Sequence, residues 1–355
     1  MKNSSQIVFV GLSGGVDSAV TAMLLKEQGY RVVGAHMKNW SKDIGGFECP
    51  WEDDYQEAKR VAVYLGVEFV LLDFEQHYFD KVVQYMLDEF RIGRTPNPDV
   101  MCNQEIKFKL FLEAAVDRGA DLIATGHYAR THDGKLLRAV DDNKDQTYFL
   151  YRVTKDALDK TLFPLGELEK PQVRALATQA GLPNANRKES MGICFVGKIG
   201  IKDFLSEYID TESGDIVEKG QVVGRHDGAI FYTIGQRHGL GLGGGMPYYV
   251  TGKDMEKNEV YVTRDLADQS LWSEYIDLTS PHFIDSSYGP SSLEGVTLQV
   301  RTRHRADFVD CVVAAGSSET SPIRLNLSSE IKALTPGQSA VLYRADECIG
   351  GGIIA

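Results

Sequence analysis

Between residues 7 and 125, short apolar runs alternate with segments of helical length, and several of those segments stop at a glycine. Residues 7–10 form an apolar strand candidate. A glycine-rich turn follows, then a helix over about 16–28 with Gly29 placed as a C-terminal cap. Residues 31–37 read as a second strand, and a helix over 52–65 is closed by Gly66. A strand at 68–72, helices at 76–90 and 104–118, and a strand at 121–125 continue the alternation. Strands separated by helices of this length build βαβ units, whose strands lie parallel. The expected fold class is therefore α/β, a doubly wound parallel sheet.

The pattern changes further on. Residues 171–180 are still helical, with proline in the first turn and Gly181 past the end. From Gly214 the chain becomes glycine-rich, with alternating runs at 229–234 and 259–263 and a hairpin across 246–263. Runs at 297–303, 308–314, 323–327 and 340–344 fit a small antiparallel barrel or sandwich. The expected organisation is a catalytic domain over 1–205, a small central β-rich domain over 206–275 and a C-terminal antiparallel β-barrel over 276–355.

A chain of 355 residues accommodates two or three domains. Its 43% hydrophobic and 25% charged residues are ordinary for a globular protein. No apolar run is long enough to span a bilayer, and residues 1–5 do not read as a signal peptide, so a soluble cytoplasmic protein is expected. Five scattered cysteines without a Cys-x-x-Cys pair argue against a disulfide framework and against a zinc ribbon. The net charge of −12 leaves any binding of polyanions to local basic patches.

The first strand runs into Gly11-Leu12-Ser13-Gly14-Gly15-Val16-Asp17-Ser18 and then into a helix. Glycines permit a tight turn, and the N–H groups of that turn and of the helix start form a cradle for phosphate. Ser13 and Ser18 add hydroxyls, and Asp17 is placed to hold Mg²⁺ on a pyrophosphate. No lysine follows the glycines, which separates this loop from the one that positions a γ-phosphate. It resembles the PP-loop of enzymes that split ATP between the α- and β-phosphates into AMP and pyrophosphate. Met37, ending the second strand, lies where those enzymes hold adenine.

Thr95-Pro96-Asn97-Pro98-Asp99-Val100-Met101-Cys102-Asn103 reads as an extended loop, because residues before proline are pushed out of the helical region. Cys102 then stands at or just before a helix start, where the dipole favours thiolate, and Asp99 is near enough in sequence to accept its proton. Cys194 is ambiguous from its neighbours: Arg187 and Lys188 would depress its pKa, while Ile193 and Phe195 imply burial, which would raise it. Cys49, Cys311 and Cys348 read as packing residues. Strand alternation would put Arg301, Arg303 and Arg305 on one face, a candidate phosphate-binding row. His127 follows Gly126 at the carboxyl end of a strand, where ligands bind parallel sheets.

These motifs, with Thr125-Gly126-His127-Tyr128-Ala129-Arg130, Asp145-Gln146-Thr147-Tyr148-Phe149-Leu150, Gly192-Ile193-Cys194-Phe195, Tyr232-Thr233-Ile234-Gly235-Gln236-Arg237 and Thr335-Pro336-Gly337-Gln338, occur in the order found in tRNA-specific 2-thiouridylases, which the chain resembles over nearly its whole length. The resemblance implies that ATP, with Mg²⁺, adenylates the C2 oxygen of a wobble uridine. It implies that Cys194 carries a persulfide and that Cys102 is its partner nucleophile, closing a disulfide with it at the end. Gly126 would contact ATP, and Asn97, Pro98 and Asp99 would line the target base. His127, Lys144, Asp145, Gln146, Arg303, His304 and Gln338 would touch tRNA. The implied partners are tRNAs for Lys, Glu and Gln and a persulfide donor, either a cysteine desulfurase or a sulfur-relay protein. Glu189 stands where the family more often has Asp, and His304 where it often has Tyr.

Two other functions fit parts of the sequence. A PP-loop synthetase adenylating a small carboxylate would leave both cysteines dispensable. A non-catalytic RNA-binding protein would bind tRNA without releasing pyrophosphate. An iron–sulfur cluster would have only Cys102 and Cys194 as available ligands.

Overall fold

The computed structural model describes residues 5–44, 49–188, 200–243, 245–315 and 322–355. Its first sheet starts from the apolar strand β1 (Ile7–Gly11), in which Val8 and Val10 are fully buried, as a central parallel strand requires. Helix α1 (Val16–Glu27) leads to β2 (Arg31–Lys38). Helix α2 (Trp51–Leu65) opens with Glu52, Asp53 and Asp54, which suit the positive end of its dipole, and stops at Gly66 in the left-handed conformation. Strands β3 (Glu68–Asp73) and β4 (Leu122–Ala124) follow, then a hairpin of β5 (Arg130–His132) and β6 (Lys135–Leu137), then β7 (Thr161–Leu162). The sheet order is β3-β2-β1-β4-β7, all parallel. The direction of winding reverses between β1 and β4, and the crevice beyond their carboxyl ends is where such sheets bind ligands.

Two segments depart from the sequence reading. The helix expected to start at 104 starts at Pro98: Pro98–Met101 continues through a wide π-helical stretch, Cys102–Leu110, into Phe111–Val116. Asn97 is extended (φ −113°, ψ 93°), as a residue before proline must be. Pro98 itself suits the first helical position, where its missing N–H is no loss. The alternating run at 229–234 is likewise no strand. It forms a 3₁₀ turn, Ala229–Phe231, after Gly228 (φ 149°), whose N–H donates to His226 Nδ1.

Beyond this domain, β8 (Gly214–Glu218), β9 (Gln221–His226), β10 (Tyr249–Asp254) and β11 (Glu259–Thr263) form a sheet in the order β10-β11-β8-β9. Six antiparallel strands then close a barrel: β12 (Trp272–Phe283), β13 (Thr297–Arg301), β14 (Val309–Val313), β15 (Ile323–Lys332), β16 (Ser339–Arg344) and β17 (Glu347–Ile354). Their order is β12-β15-β14-β13-β16-β17, and β17 pairs back onto β12. Closure presses β17 against both neighbours. A Cβ on Gly351 would lie 2.3 Å from the Ala340 carbonyl oxygen, so only glycine fits there. The β5–β6 hairpin adds to the outer edge of β17 through Leu136–Cys348 and Leu137–Glu347, so the first domain and the barrel share a sheet. Positions 205 and 275, expected as boundaries, fall within helix Ile201–Ser206 and within β12. Among the described residues no helix is long and apolar enough to cross a membrane.

Candidate active site

The glycine-rich loop turns at the carboxyl end of β1. Gly14 has φ +81°, and a Cβ there would lie 2.7 Å from both Arg187 Nη1 and the Asp54 carbonyl oxygen. Bonds from all sides hold the loop. Leu12 N–H donates to Ala35 O at 2.8 Å, Ser13 N–H to Ser18 Oγ at 3.2 Å and Gly15 N–H to Ser13 Oγ at 3.3 Å. Asn184 Nδ2 donates to Gly14 O at 2.8 Å, and Arg187 bridges Gly14 O and the Asp54 carboxylate. Ser13 and Ser18 thus brace the turn with the hydroxyls that the sequence offered to a ligand. Gly126, after β4, comes against the same turn: a Cβ there would lie 2.9 Å from Ser18 N and 3.0 Å from the Asp17 carbonyl carbon. Met37 is half-buried beside it, its Cε 3.1 Å from where a Gly11 Cβ would stand.

A cavity of about 260 Å³ opens over Ser13, Gly15, Val16 and Asp17. The same cavity is lined by Lys144, Lys170, Arg174, Arg187 and Lys188, with His304 and Arg305 of the barrel. Both Asp17 carboxylate oxygens accept from Lys170 Nζ, at 2.6 and 2.7 Å, and Tyr128 Oη donates to Oδ1 at 3.0 Å. Tyr128, Lys170 and Arg174 escaped the sequence reading. Lys170 directly precedes the proline-started helix that was found, but it lies 153 positions from Asp17, and no local spacing ties them.

Asp99 and Cys102 stand three residues apart on one helix, hence on one face. Cys102 is 2% exposed and lies a full turn into the helix, so the dipole acts on it less than a terminal position would allow. Burial pushes the Asp99 carboxyl up, against the opposing effect of Lys107. His127 is also buried, its Nδ1 2.8 Å from Thr125 Oγ1 and its ring between Phe108 and Phe163 at 5.6 and 6.4 Å. Burial and Lys107 hold the imidazole well below its usual pKa, so it is neutral. The Lys107 charge therefore acts on both groups, a link the sequence did not signal.

The segment ahead of Asp99 is held by the barrel. Thr95 N–H donates to Pro336 O at 2.9 Å, and Gln338 Nε2 donates to Thr95 O and Pro96 O. Tyr148 Oη donates to Thr302 O and Ser339 O, at 3.2 and 3.0 Å. The other implied tRNA contacts are scattered. Lys144 and His304 line the nucleotide-loop cavity. Asp145 has no exposed surface; it accepts from Ala139 N–H and Thr147 Oγ1 and lies 3.8 Å from Arg301. Gln146 is bonded to Tyr128 through its backbone N–H and its side-chain oxygen. Arg303 donates to Ala333 O and Thr335 Oγ1 at 2.8 and 3.2 Å.

The expected row of three arginines does not form. Strand β13 ends at Arg301, which is buried with its guanidinium 3.8 Å from the Phe308 ring centroid, and the chain turns through Arg305 at φ 64°. Alternation cannot continue through a turn, so the three side chains diverge. Cys194, Glu189 and any Cys102–Cys194 disulfide lie outside the described residues.

The strand order, the glycine turn at the β1/β4 crevice and the cationic cavity define a nucleotide-binding α/β domain, carried here with a small β domain and a barrel. Three family models match in succession: tRNA methyl transferase HUP domain over residues 6–198, tRNA methyl transferase PRC-barrel domain over 202–264 and aminomethyltransferase beta-barrel domain over 274–354. The tRNA-specific 2-thiouridylase MnmA of Bacillus licheniformis is 48% identical over 98% of this chain and 94% of its own. The protein of the same name from Listeria innocua is 47% identical over 99% and 95%. Among solved structures, a 4-thiouridine synthetase–RNA complex with bound ATP matches 57% of this chain and 50% of that one at 14% identity and TM-score 0.38. The chain belongs to the tRNA-specific 2-thiouridylase family.

Proposed function

We propose that the chain is a tRNA sulfurtransferase that uses ATP to adenylate the C2 oxygen of the wobble uridine and then replaces that oxygen with sulfur. The observation that carries this reading is the near full-length identity to curated 2-thiouridylases. The geometry supports it: a phosphate-cradling turn and a helix bearing Asp99 and Cys102 lie in one α/β domain. The family-model descriptions speak of methyl transfer, but a loop built for nucleotide phosphates, in one domain with a half-buried carboxyl and a buried thiol on a single helix, suits adenylation followed by sulfur attack.

In this reading the N–H groups at the start of α1 and the surrounding cations bind the phosphates of ATP. Among the described residues no three His, Cys, Asp or Glu side chains cluster as a metal cage. One carboxylate, Asp17, is what a Mg²⁺ held mainly by nucleotide phosphates and water requires, once Lys170 has moved off it. Such an ion would screen phosphate charge. Asn97, Pro98 and Asp99 line the extruded base, and Asp99, its carboxyl raised, handles the proton of the uridine. Adenylation turns a poor leaving group into AMP. The terminal persulfide sulfur of Cys194 attacks C2, AMP departs, and the Cys102 thiolate attacks the Cys194 sulfur, releasing 2-thiouridine and leaving a disulfide. Acceptor tRNAs for Lys, Glu and Gln, a cysteine desulfurase or sulfur-relay donor and a cytoplasmic location complete the proposal.

The test is sulfur transfer to unmodified tRNA with ATP, Mg²⁺ and a cysteine desulfurase, read by retardation in a mercury gel. Wild type is expected to retard the tRNA, and Cys102→Ser and Cys194→Ser are not. Retardation by either variant would remove that cysteine from the mechanism, and none by wild type would reject the function.

A further inference from the structure

The ion pair that lines the nucleotide-loop cavity is hard to explain as support for the fold alone. Lys170 is 9% exposed, and its ammonium sits on both oxygens of Asp17, 5.7 Å from the Tyr128 ring centroid. Its backbone is fixed: the Lys170 N–H donates to Asp141 Oδ2 at 2.9 Å, Pro171 follows, and Glu169 and Gln172 cap the helix Lys170–Gln179 reciprocally. A rigid base carrying a flexible four-carbon stem lets the ammonium move a few ångströms without moving the chain. Asp17 belongs to the first turn of α1, where the phosphate cradle is. An anionic nucleotide arriving there meets the Asp17 carboxylate unless cations stand between them.

Resting on the thiouridylase reading, we infer that Lys170 is the catalytic cation for the leaving pyrophosphate, held on Asp17 until the nucleotide arrives. In adenylation the uridine O2 forms a bond to the α-phosphorus. The bond from that phosphorus to the oxygen bridging to the β-phosphorus breaks, and its electron pair stays on the departing pyrophosphate. That oxygen gains charge only as the reaction proceeds, so a cation aimed at it acts most strongly in the transition state. Lys170 supplies it from the cavity wall, and Asp17, freed of its partner, faces the cation that accompanies the phosphates. The proton on Lys170 stays where it is throughout. Arg174 and Arg187 line the same cavity and add positive charge there, while donating to Ala185 O and Arg187 O, and to Gly14 O and Asp54, respectively.

Three binding titrations of the full chain, with AMP, with inorganic pyrophosphate and with an α,β-methylene ATP analogue, are read beside single-turnover pyrophosphate release with tRNA. Lys170→Met is expected to bind AMP as wild type does, to lose at least tenfold in affinity for pyrophosphate and the analogue, and to release pyrophosphate about 10²–10³-fold more slowly. Because Lys170→Met leaves Asp17 without its lysine and Asp17→Asn also removes the carboxylate offered to Mg²⁺, Asp17→Asn and Asp17→Asn/Lys170→Met are measured side by side. If Lys170 only neutralises Asp17, the double variant releases pyrophosphate within about threefold of Asp17→Asn alone, and the inference is overturned. A further loss of at least tenfold from Asp17→Asn to the double variant supports it. Unchanged pyrophosphate affinity in Lys170→Met, with AMP bound normally, would also overturn it. Failure of wild type to bind any of the three ligands would reject the nucleotide reading, and this inference with it.

Discussion

Gln338 holds the segment that leads to Asp99: its Nε2 donates to Thr95 O at 2.7 Å and to Pro96 O at 3.2 Å, across 243 and 242 positions. Two hydrogen bonds of this kind are worth about 1–3 kcal/mol together, enough to set a loop's register and too little to unfold a domain. Gln338→Ala should lower kcat for thiolation about tenfold while changing the Kd for tRNA less than threefold. A large rise in Kd at constant kcat would instead make Gln338 a tRNA contact.

Asp99 should show a conflict between stability and activity. Burial raises its carboxyl pKa, so the folded state favours the protonated form. Whatever stability it contributes is present below the unfolded value, near 4, and is lost as the pH rises through the folded value. Asp99→Asn cannot ionise. It should have a higher urea midpoint than wild type at pH 7.5, a gap that narrows towards pH 5, while thiolation falls about 10²–10⁴-fold. A lower midpoint at pH 7.5 would contradict the burial argument.

His304 works in the opposite sense. Burial first, then Arg305, Arg301 and Lys144, push its imidazole from 6.5 down to about 4. The unfolded chain therefore takes up a proton that the folded chain refuses. The stability this gives is complete above pH 6.5 and is lost as the pH falls through about 4. His304→Phe, which keeps a ring against Phe149 at the present 4.8 Å centroid distance, should decline less steeply in urea midpoint across that window. Equal slopes would count against it. Being neutral, His304 also adds no charge to tRNA binding, so the variant should leave the salt dependence of Kd unchanged.

Gly126→Ala puts a methyl group against backbone on the nucleotide turn, 2.9 Å from Ser18 N. Backbone atoms cannot swing aside as a side chain can. The substitution should cost about 1–3 kcal/mol of stability and at least tenfold in ATP affinity, measured by titration of the folded variant. Tight ATP binding would mean that the turn adjusts freely.

The α/β half was legible because its signals are local: apolar runs, helices of ordinary length and glycines at their ends. Helix α2 and its stop at Gly66 need nothing from the rest of the chain. The misplaced start of the Cys102 helix came from weighing the rule for residues before proline above proline's own fitness to begin a helix. Strand β17 carries no local signal, because Gly350, Gly351 and Gly352 are poor strand formers that only the closing barrel holds extended. The site divides the same way. The loop from Gly11 to Ser18 is one motif, whereas Lys170 on Asp17, Arg301 beside Asp145 and Gln338 on Thr95 join distant segments that only the folded chain brings together.

The shared sheet between the β5–β6 hairpin and β17 also orders events during synthesis. Lys135 and its partner Glu347 lie 212 positions apart, so the hairpin leaves the ribosome long before the strand it pairs with. Until then Leu136, fully buried in the finished molecule, has no cover from β17, and a sheet edge stays open to other chains. Arrested translation products that hold the whole nucleotide loop but stop short of β17 would therefore be sticky, and candidates for chaperone capture.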